Sequence, residues 1–168
     1  MSQFDVKRAS MTKRMQVMSG PPVDPRRSAI MRAVKGKNTK PELRVRSALH
    51  RAGYRFRLHR ADLPGKPDVV FPGRRAAVFV HGCFWHRHDR CRAASTPSTR
   101  TEFWLQKFRC NVDRDEANVQ SLIALGWRVH IVWECQTKGK PSFWEPLIEF
   151  LDGNLSEVSV RDQSSSEA

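Results

Sequence analysis

Hydrophobic and polar positions change period several times along this chain, and each change marks an element. Asp24-Pro25 pairs a helix N-cap with a proline at the first helical position, and a helical pattern runs from there to Gly36. Thr39 opens a second helix, with Glu42 at capping-box spacing and Gly53 as the stop. From Tyr54 to Leu58 apolar residues alternate with arginine, the mark of a half-buried strand. The turn Asp62-Leu63-Pro64-Gly65 follows, then a short strand from Asp68 to Phe71, a second turn at Pro72-Gly73 and a central strand from Ala76 to His81. Thr101 is read as the cap of a long helix through Leu125, stopped by Gly126. A buried strand from Trp127 to Trp133 delivers Cys135 beyond its end, and a last helix covers 142–151. This order predicts a small mixed α/β sheet flanked by helices, in which the strands at 76–81 and 127–133 are parallel neighbours joined by a right-handed crossover.

Composition narrows the class. The 168 residues suit one domain with a real core. Residues 1–23 read as a flexible basic tail, 24–152 as the folded domain and 153–168 as a second flexible tail. With 30 Lys and Arg against 17 Asp and Glu, the net charge of +13 points to a polyanionic partner, nucleic acid first. No apolar run approaches the length of a membrane span and no signal-peptide core follows Met1, so a cytoplasmic protein is expected.

The chemistry concentrates after the central strand, where Cys83, Phe84, Trp85, His86, His88 and Cys91 crowd together. Strand ends are where α/β proteins place their sites. In a reducing compartment, cysteines mixed with histidines indicate a metal rather than a disulfide. Cys83, His88, Cys91 and Cys135 can supply a closed tetrahedral zinc set, and such a set folds a loop without performing chemistry. His81, His86 and His88 compete for the imidazole position, and spacing does not choose between the last two. The one left over is a general acid or base near neutral pH.

Asp68, at a strand start after Gly65-Lys66-Pro67, either turns the chain or binds something. The pattern resembles the strand pair of restriction-type nucleases, in which a carboxylate holds Mg2+ against the scissile phosphate. Glu42 is a second candidate acid, although a capping role alone would explain it. Phe84, Trp85 and Trp104 suit stacking on bases or wedging between base steps, with Arg87, Arg90, Arg92, Arg100 and Lys107 as phosphate contacts.

The segments His81-Gly82-Cys83-Phe84-Trp85-His86, Thr99-Arg100-Thr101-Glu102-Phe103-Trp104 and Gly126-Trp127-Arg128-Val129, with Val132-Trp133-Glu134-Cys135, resemble the very-short-patch mismatch repair endonuclease (Vsr) family. Arg27-Ser28, Asn38-Thr39, Pro41-Glu42-Leu43 and Leu63 through Asp68 extend the likeness in order over about two-thirds of the chain.

The resemblance implies a restriction-endonuclease-like fold with a structural zinc loop. It also implies a Mg2+-dependent nick in duplex DNA, 5′ to the T of a T:G mismatch left by 5-methylcytosine deamination. It makes Asp68 and the Val80 carbonyl Mg2+ contacts, His86 the catalytic imidazole, and Glu42 and His81 supporting catalytic residues. Zinc falls to Cys83, His88, Cys91 and Cys135, and Phe84, Trp85 and Trp104 insert beside the mismatch. A monomer acting on nucleoid DNA, with other mismatch-repair proteins as further partners, completes the expectation. The second acid and the lysine of the restriction-enzyme pattern are absent here, since that strand carries Phe79, Val80 and His81. A zinc-stabilised DNA-binding module and a less specific nuclease are the competing readings.

Overall fold

In the computed structural model, which describes residues 36–139 and 141–153, Thr39 and Glu42 close their capping box and start α1 (Lys40–Arg51). The helix expected from Asp24, the N-terminal tail and the C-terminal tail after Gly153 lie outside the described residues. The first strand, β1, is only Arg57–Leu58. Its expected beginning is diverted because the Tyr54 N–H donates to Leu49 O at 3.0 Å, finishing α1 instead of joining a ladder. Tyr54 and Phe56 still pack edge-on against Phe71.

β2 (Val69–Phe71) and β3 (Ala76–His81) form an antiparallel hairpin around a 3-10 turn at Pro72–Arg74. The long helix α2 (Thr101–Ala124) then crosses to β4 (Arg128–Trp133), which runs parallel to β3 with His81 opposite Trp133. The sheet order is β1-β2-β3-β4, and α3 (Trp144–Asp152) closes the described chain. Thr101 is not the cap of α2. Arg100 holds that position in a left-handed conformation, while the Thr101 hydroxyl donates back to the Pro97 and Ser98 carbonyls, each at 3.3 Å.

Strand alternation divides the core. On one face Val69, Phe71, Ala76, Val78 and Val132 pack with Val45 and Leu49 of α1 and with Leu147, Phe150 and Leu151 of α3. On the other, Val70, Ala77 and Phe79 pack with Leu63 and with Leu122 of α2. The same period-2 rule puts His81 on the α2 face, next in line after Phe79.

Part of the positive charge serves the fold. Arg75 donates to the Leu125 and Gly126 carbonyls at the end of α2, and Arg74 and Arg128 donate to Leu151 O and Phe150 O near the end of α3. Cations at those carbonyl ends match the helix dipole.

The turn before β2 packs on α2 through a glycine. Gly65 has φ +70, and a Cβ there would lie 2.9 Å from Asn118 Cβ. Gly65→Ala is therefore expected to cost about 1–3 kcal/mol by left-handed strain and overlap together. Urea denaturation checks it, and an unchanged midpoint would refute the tight contact.

Candidate active site and metal cluster

Two carboxylates approach from different elements and have very different surroundings. Glu42, in the first turn of α1, is 3% exposed. Its oxygens accept from Asn38 N–H at 2.9 Å, the Thr39 hydroxyl at 2.8 Å, Thr39 N–H at 3.4 Å and Arg46 Nη2 at 2.5 Å. Asp68, just ahead of β2, is tied among the described residues by one oxygen: Oδ2 accepts the Val80 N–H at 2.8 Å. Oδ1 faces His59 Nδ1 at 3.8 Å, and His59 Nε2 lies 3.9 Å from Glu42 Oε2. Glu42, His59 and Asp68 thus form one cluster with potential ligand atoms within 4.8 Å of one another. Burial pushes the Asp68 carboxyl up to about 6, with the Glu42 charge adding to it and the Val80 N–H, Arg46 and His86 opposing. A group so placed gains most from a cation. Asp68 has lone pairs to offer one, whereas the Glu42 oxygens are engaged.

Across from Asp68 the loop after β3 folds back on itself. The Trp85 and His86 amides both donate to Gly82 O at 3.1 Å, and this turn lays the His86 ring on His81 with centroids 3.9 Å apart and planes 11° from parallel. His86 Nδ1 is hydrogen-bonded to Asp115 Oδ2 of α2. An ionised carboxylate only accepts, so Nδ1 carries the hydrogen and Nε2 is left free to take a proton. Burial would raise the Asp115 carboxyl, but the hydrogen bond from His86, with Arg114 nearby, outweighs it and holds the group below its usual range. Burial, and then repulsion from His86, push His81 down to about 3, so it is a neutral ring at physiological pH.

Below the stacked histidines the same loop meets the end of β4. Cys83 is fully buried, and its Sγ lies 3.7 Å from His88 Nδ1 and accepts from the Cys135 N–H at 3.4 Å. Cys135 Sγ is 3.3 Å from the same His88 nitrogen. With Cys91, these atoms all fall within 4.8 Å of one another. Ligands on a tetrahedral zinc, at about 2.3 Å for sulfur and 2.0–2.1 Å for nitrogen, sit about 3.6 Å apart, so the donor set fits that ion in chemistry and in size. The His88 ring stacks on Trp133 at 4.2 Å, which orients Nδ1 toward the thiols. His88, rather than His81 or His86, is the imidazole brought to the cysteines. Cys110 lies on exposed α2 surface, outside the cluster.

Phe84, Trp85 and Trp104 form a half-buried aromatic wall, with Phe84 5.1 Å from Trp85 and 5.5 Å from Trp104. Phe108 backs it, and Phe103 stands exposed at its edge. Lys107 lies 5.8 Å from the Trp85 and Phe103 ring centres, and Arg100 is 4.7 Å from Phe103. Basic heads over aromatic faces make a surface suited to both phosphate and base.

His59, Arg46 and Asp115 were not anticipated. Asp115 had a signal available: Trp104, Phe108, Asn111 and Asp115 share one face of α2 at helical spacing, and Asn111 Nδ2 donates to Trp85 O at 3.2 Å. His59 had none, since it follows a strand pattern and its neighbours are distant in sequence.

Comparison with known proteins bears on this arrangement. Residues 23–92 match the family model described as DNA mismatch endonuclease Vsr. A Type II nicking enzyme, V.XorIIP of Xanthomonas oryzae pv. oryzae, is 54% identical over 127 residues, covering 76% of this chain and 93% of its own. DNA mismatch endonuclease Vsr of Escherichia coli K12 is 48% identical over 142 residues, covering 82% of this chain and 90% of its own. V.NaeI of Lentzea aerocolonigenes, another Type II nicking enzyme, is 45% identical over 121 residues, with 67% and 70% covered.

Proposed function

The chain belongs to the Vsr family of DNA mismatch endonucleases, and from that membership and the geometry above we propose that it cuts one strand of duplex DNA, 5′ to the T of a T:G mismatch. The observation that supports this most directly is the pairing of a carboxylate with an open oxygen, Asp68, and an Asp115-held imidazole with a free Nε2, His86. Such a pair is what in-line hydrolysis of a phosphodiester needs.

In this reading Asp68 and the Val80 carbonyl hold a divalent cation, Mg2+, whose hard character suits oxygen donors. That ion, when bound, polarises the phosphate and offsets the charge that develops on it. His86 accepts a proton from the attacking water at Nε2, and Asp115 stabilises the resulting imidazolium. His81 stays neutral beneath it and holds the ring in plane, while Glu42 anchors the acidic side through Arg46. Zinc at Cys83, His88, Cys91 and Cys135 locks the loop that carries His86 to the end of β4. Phe84, Trp85 and Trp104 enter the base stack beside the mismatch, unstacking it at a cost of a few kcal/mol, and the surrounding Arg and Lys residues grip phosphates. The endonuclease domain spans 24–152, works as a monomer because a mismatch has no two-fold symmetry, and acts in the cytoplasm on nucleoid DNA beside other mismatch-repair proteins. Among the described residues no helix is long and apolar enough to cross a membrane.

A strand-labelled nicking assay tests the proposal. Duplexes carrying T:G, T:A or C:G at one position, in several flanking contexts, should give a single cut 5′ of the mismatched T only in the first, and none in EDTA. Equal cutting of all three would overturn the mismatch specificity, and binding with no cut in any context would overturn the nuclease assignment.

A further inference from the structure

The His59 ring sits between the two carboxylates of the acidic side, and its hydrogen bonding decides what it can do there. Three potential ligand groups, Glu42, His59 and Asp68, lie together, so His59 could be taken for a third cation ligand. The position of Arg46 argues otherwise. Arg46 Nη2 is 2.9 Å from His59 Nε2 and 2.5 Å from Glu42 Oε2, and its Nη1 donates to Asn38 Oδ1 at 2.7 Å. A guanidinium has donors and no acceptor, so Nε2 must be the accepting nitrogen of a neutral His59. The ring hydrogen then resides on Nδ1, the atom facing Asp68 Oδ1 at 3.8 Å. A protonated Nδ1 has no lone pair for a metal, and the lone pair of Nε2 is already engaged. His59 also holds a left-handed backbone (φ +46), a conformation that costs a non-glycine residue free energy and persists where the surroundings over-determine it.

We propose that His59 is a positioning residue for Asp68 and not a metal ligand: fixed by Arg46 at Nε2, it turns its Nδ1–H toward Asp68 Oδ1 and sets the orientation in which that carboxylate meets a divalent cation. Asp68 is then held from two sides, by the Val80 N–H on Oδ2 and by the His59 dipole on Oδ1. At 3.8 Å the second contact is electrostatic rather than a hydrogen bond. Arg46 links Glu42 to the same device, which gives the engaged Glu42 carboxylate a part in the site without direct ligation. The inference rests on reading Asp68 as the cation ligand.

Asn and Gln separate the two ring nitrogens. Asn places its amide N–H near the Nδ1 position and tolerates the left-handed region, whereas Gln presents an acceptor near Nε2 and leaves Asp68 without its donor. His59→Gln is expected to weaken Mn2+ binding, read from loss of the free-ion EPR signal, and to raise the half-saturating Mg2+ for nicking by about tenfold. Turnover at saturating Mg2+ should change little. His59→Asn should stay within about threefold of the parent protein in both measurements. Long-range 1H–15N correlation on histidine-labelled protein should show His59 with its hydrogen on Nδ1. A hydrogen on Nε2 would overturn the proposal. So would normal Mn2+ binding by His59→Gln, or equal loss in both variants at unchanged melting temperature, the mark of a ligating imidazole. Asp68→Asn keeps the two readings apart. If it still nicks with Mg2+, the assignment of Asp68 is wrong; if it is inactive while His59→Gln behaves as the parent, only the role of His59 falls.

Discussion

Asp68→Asn is expected to abolish nicking while making the folded protein more stable at neutral pH. The two effects share one cause. Asp68 is tucked under β3, where burial pushes its carboxyl up to about 6, so at pH 7 the folded chain carries a charge in a place that disfavours it. Asn keeps an oxygen for the Val80 N–H but has no charge to desolvate. Loss of the carboxylate proposed to hold the catalytic cation should lower the nicking rate by roughly 10³-fold or more. Binding to a mismatched duplex should hold or tighten, because a negative charge near the phosphate has gone.

The stability side has a definite pH window. The unfolded carboxyl releases its proton near its ordinary value of 3.8, whereas the folded one keeps it up to about 6. Between those values the folded state binds more protons, so stability falls as pH rises through the window and stays reduced above it. Two units would be worth roughly 3 kcal/mol at most, and partial exposure of the side chain reduces this, so the gain on substitution is about 1–3 kcal/mol at pH 7.5. It should shrink toward zero near pH 4, where the folded Asp68 is already neutral. Urea midpoints at the two pH values check this; a gain of equal size at both, or none at pH 7.5, would contradict the burial argument.

How far the sequence carried depends on whether a signal was local. Strands β2, β3 and β4 and all three described helices were legible because each is a periodic run bounded by Gly or Pro, and the parallel pairing of β3 with β4 followed from the crossover rule. The start of α2 was misplaced because a Thr before an apolar run looks like a cap, and only the backbone shows Arg100 in that position. Spacing alone left the zinc imidazole open between His86 and His88. The turn from Gly82 sends His86 up to His81 and Asp115, and His88 down to Cys135, so His88 is the ring that joins the cysteines. The capping box of Glu42 was legible from its spacing to Thr39, but that the same carboxylate also sits beside Asp68 and His59 shows only in three dimensions. Arg46 and His59 are legible only in three dimensions, because they meet across 13 residues of turn and strand.

Removing a residue of the proposed zinc cluster should undo the site from below. As purified, the protein is expected to contain about one zinc per chain, and Cys83→Ala to lose it together with nicking. Cys83 is fully buried and its neighbours His88, Cys91 and Cys135 come from both sides of the sheet crossover, so a metal there closes a loop spanning all of α2. Burial pushes the Cys83 thiol up to about 12, which means that without a cation this sulfur stays protonated and cannot organise the cluster by charge. His86 is three residues from Cys83 on the same loop, and its placement over His81 depends on that loop keeping its turn. The expected loss is several kcal/mol of stability, read as a fall of roughly 10 °C or more in melting temperature, with activity falling further than stability. Because thiolates must shed protons to bind metal, zinc should also leave on acidification, in step with the melting temperature. Cys110→Ser, on exposed α2 surface, is the control and should keep its zinc, its melting temperature and its activity. Metal analysis beside thermal melting decides the matter: a protein that purifies without zinc yet nicks, or a Cys83→Ala variant that melts and nicks as the parent does, would show that the four residues are packing and not a metal site.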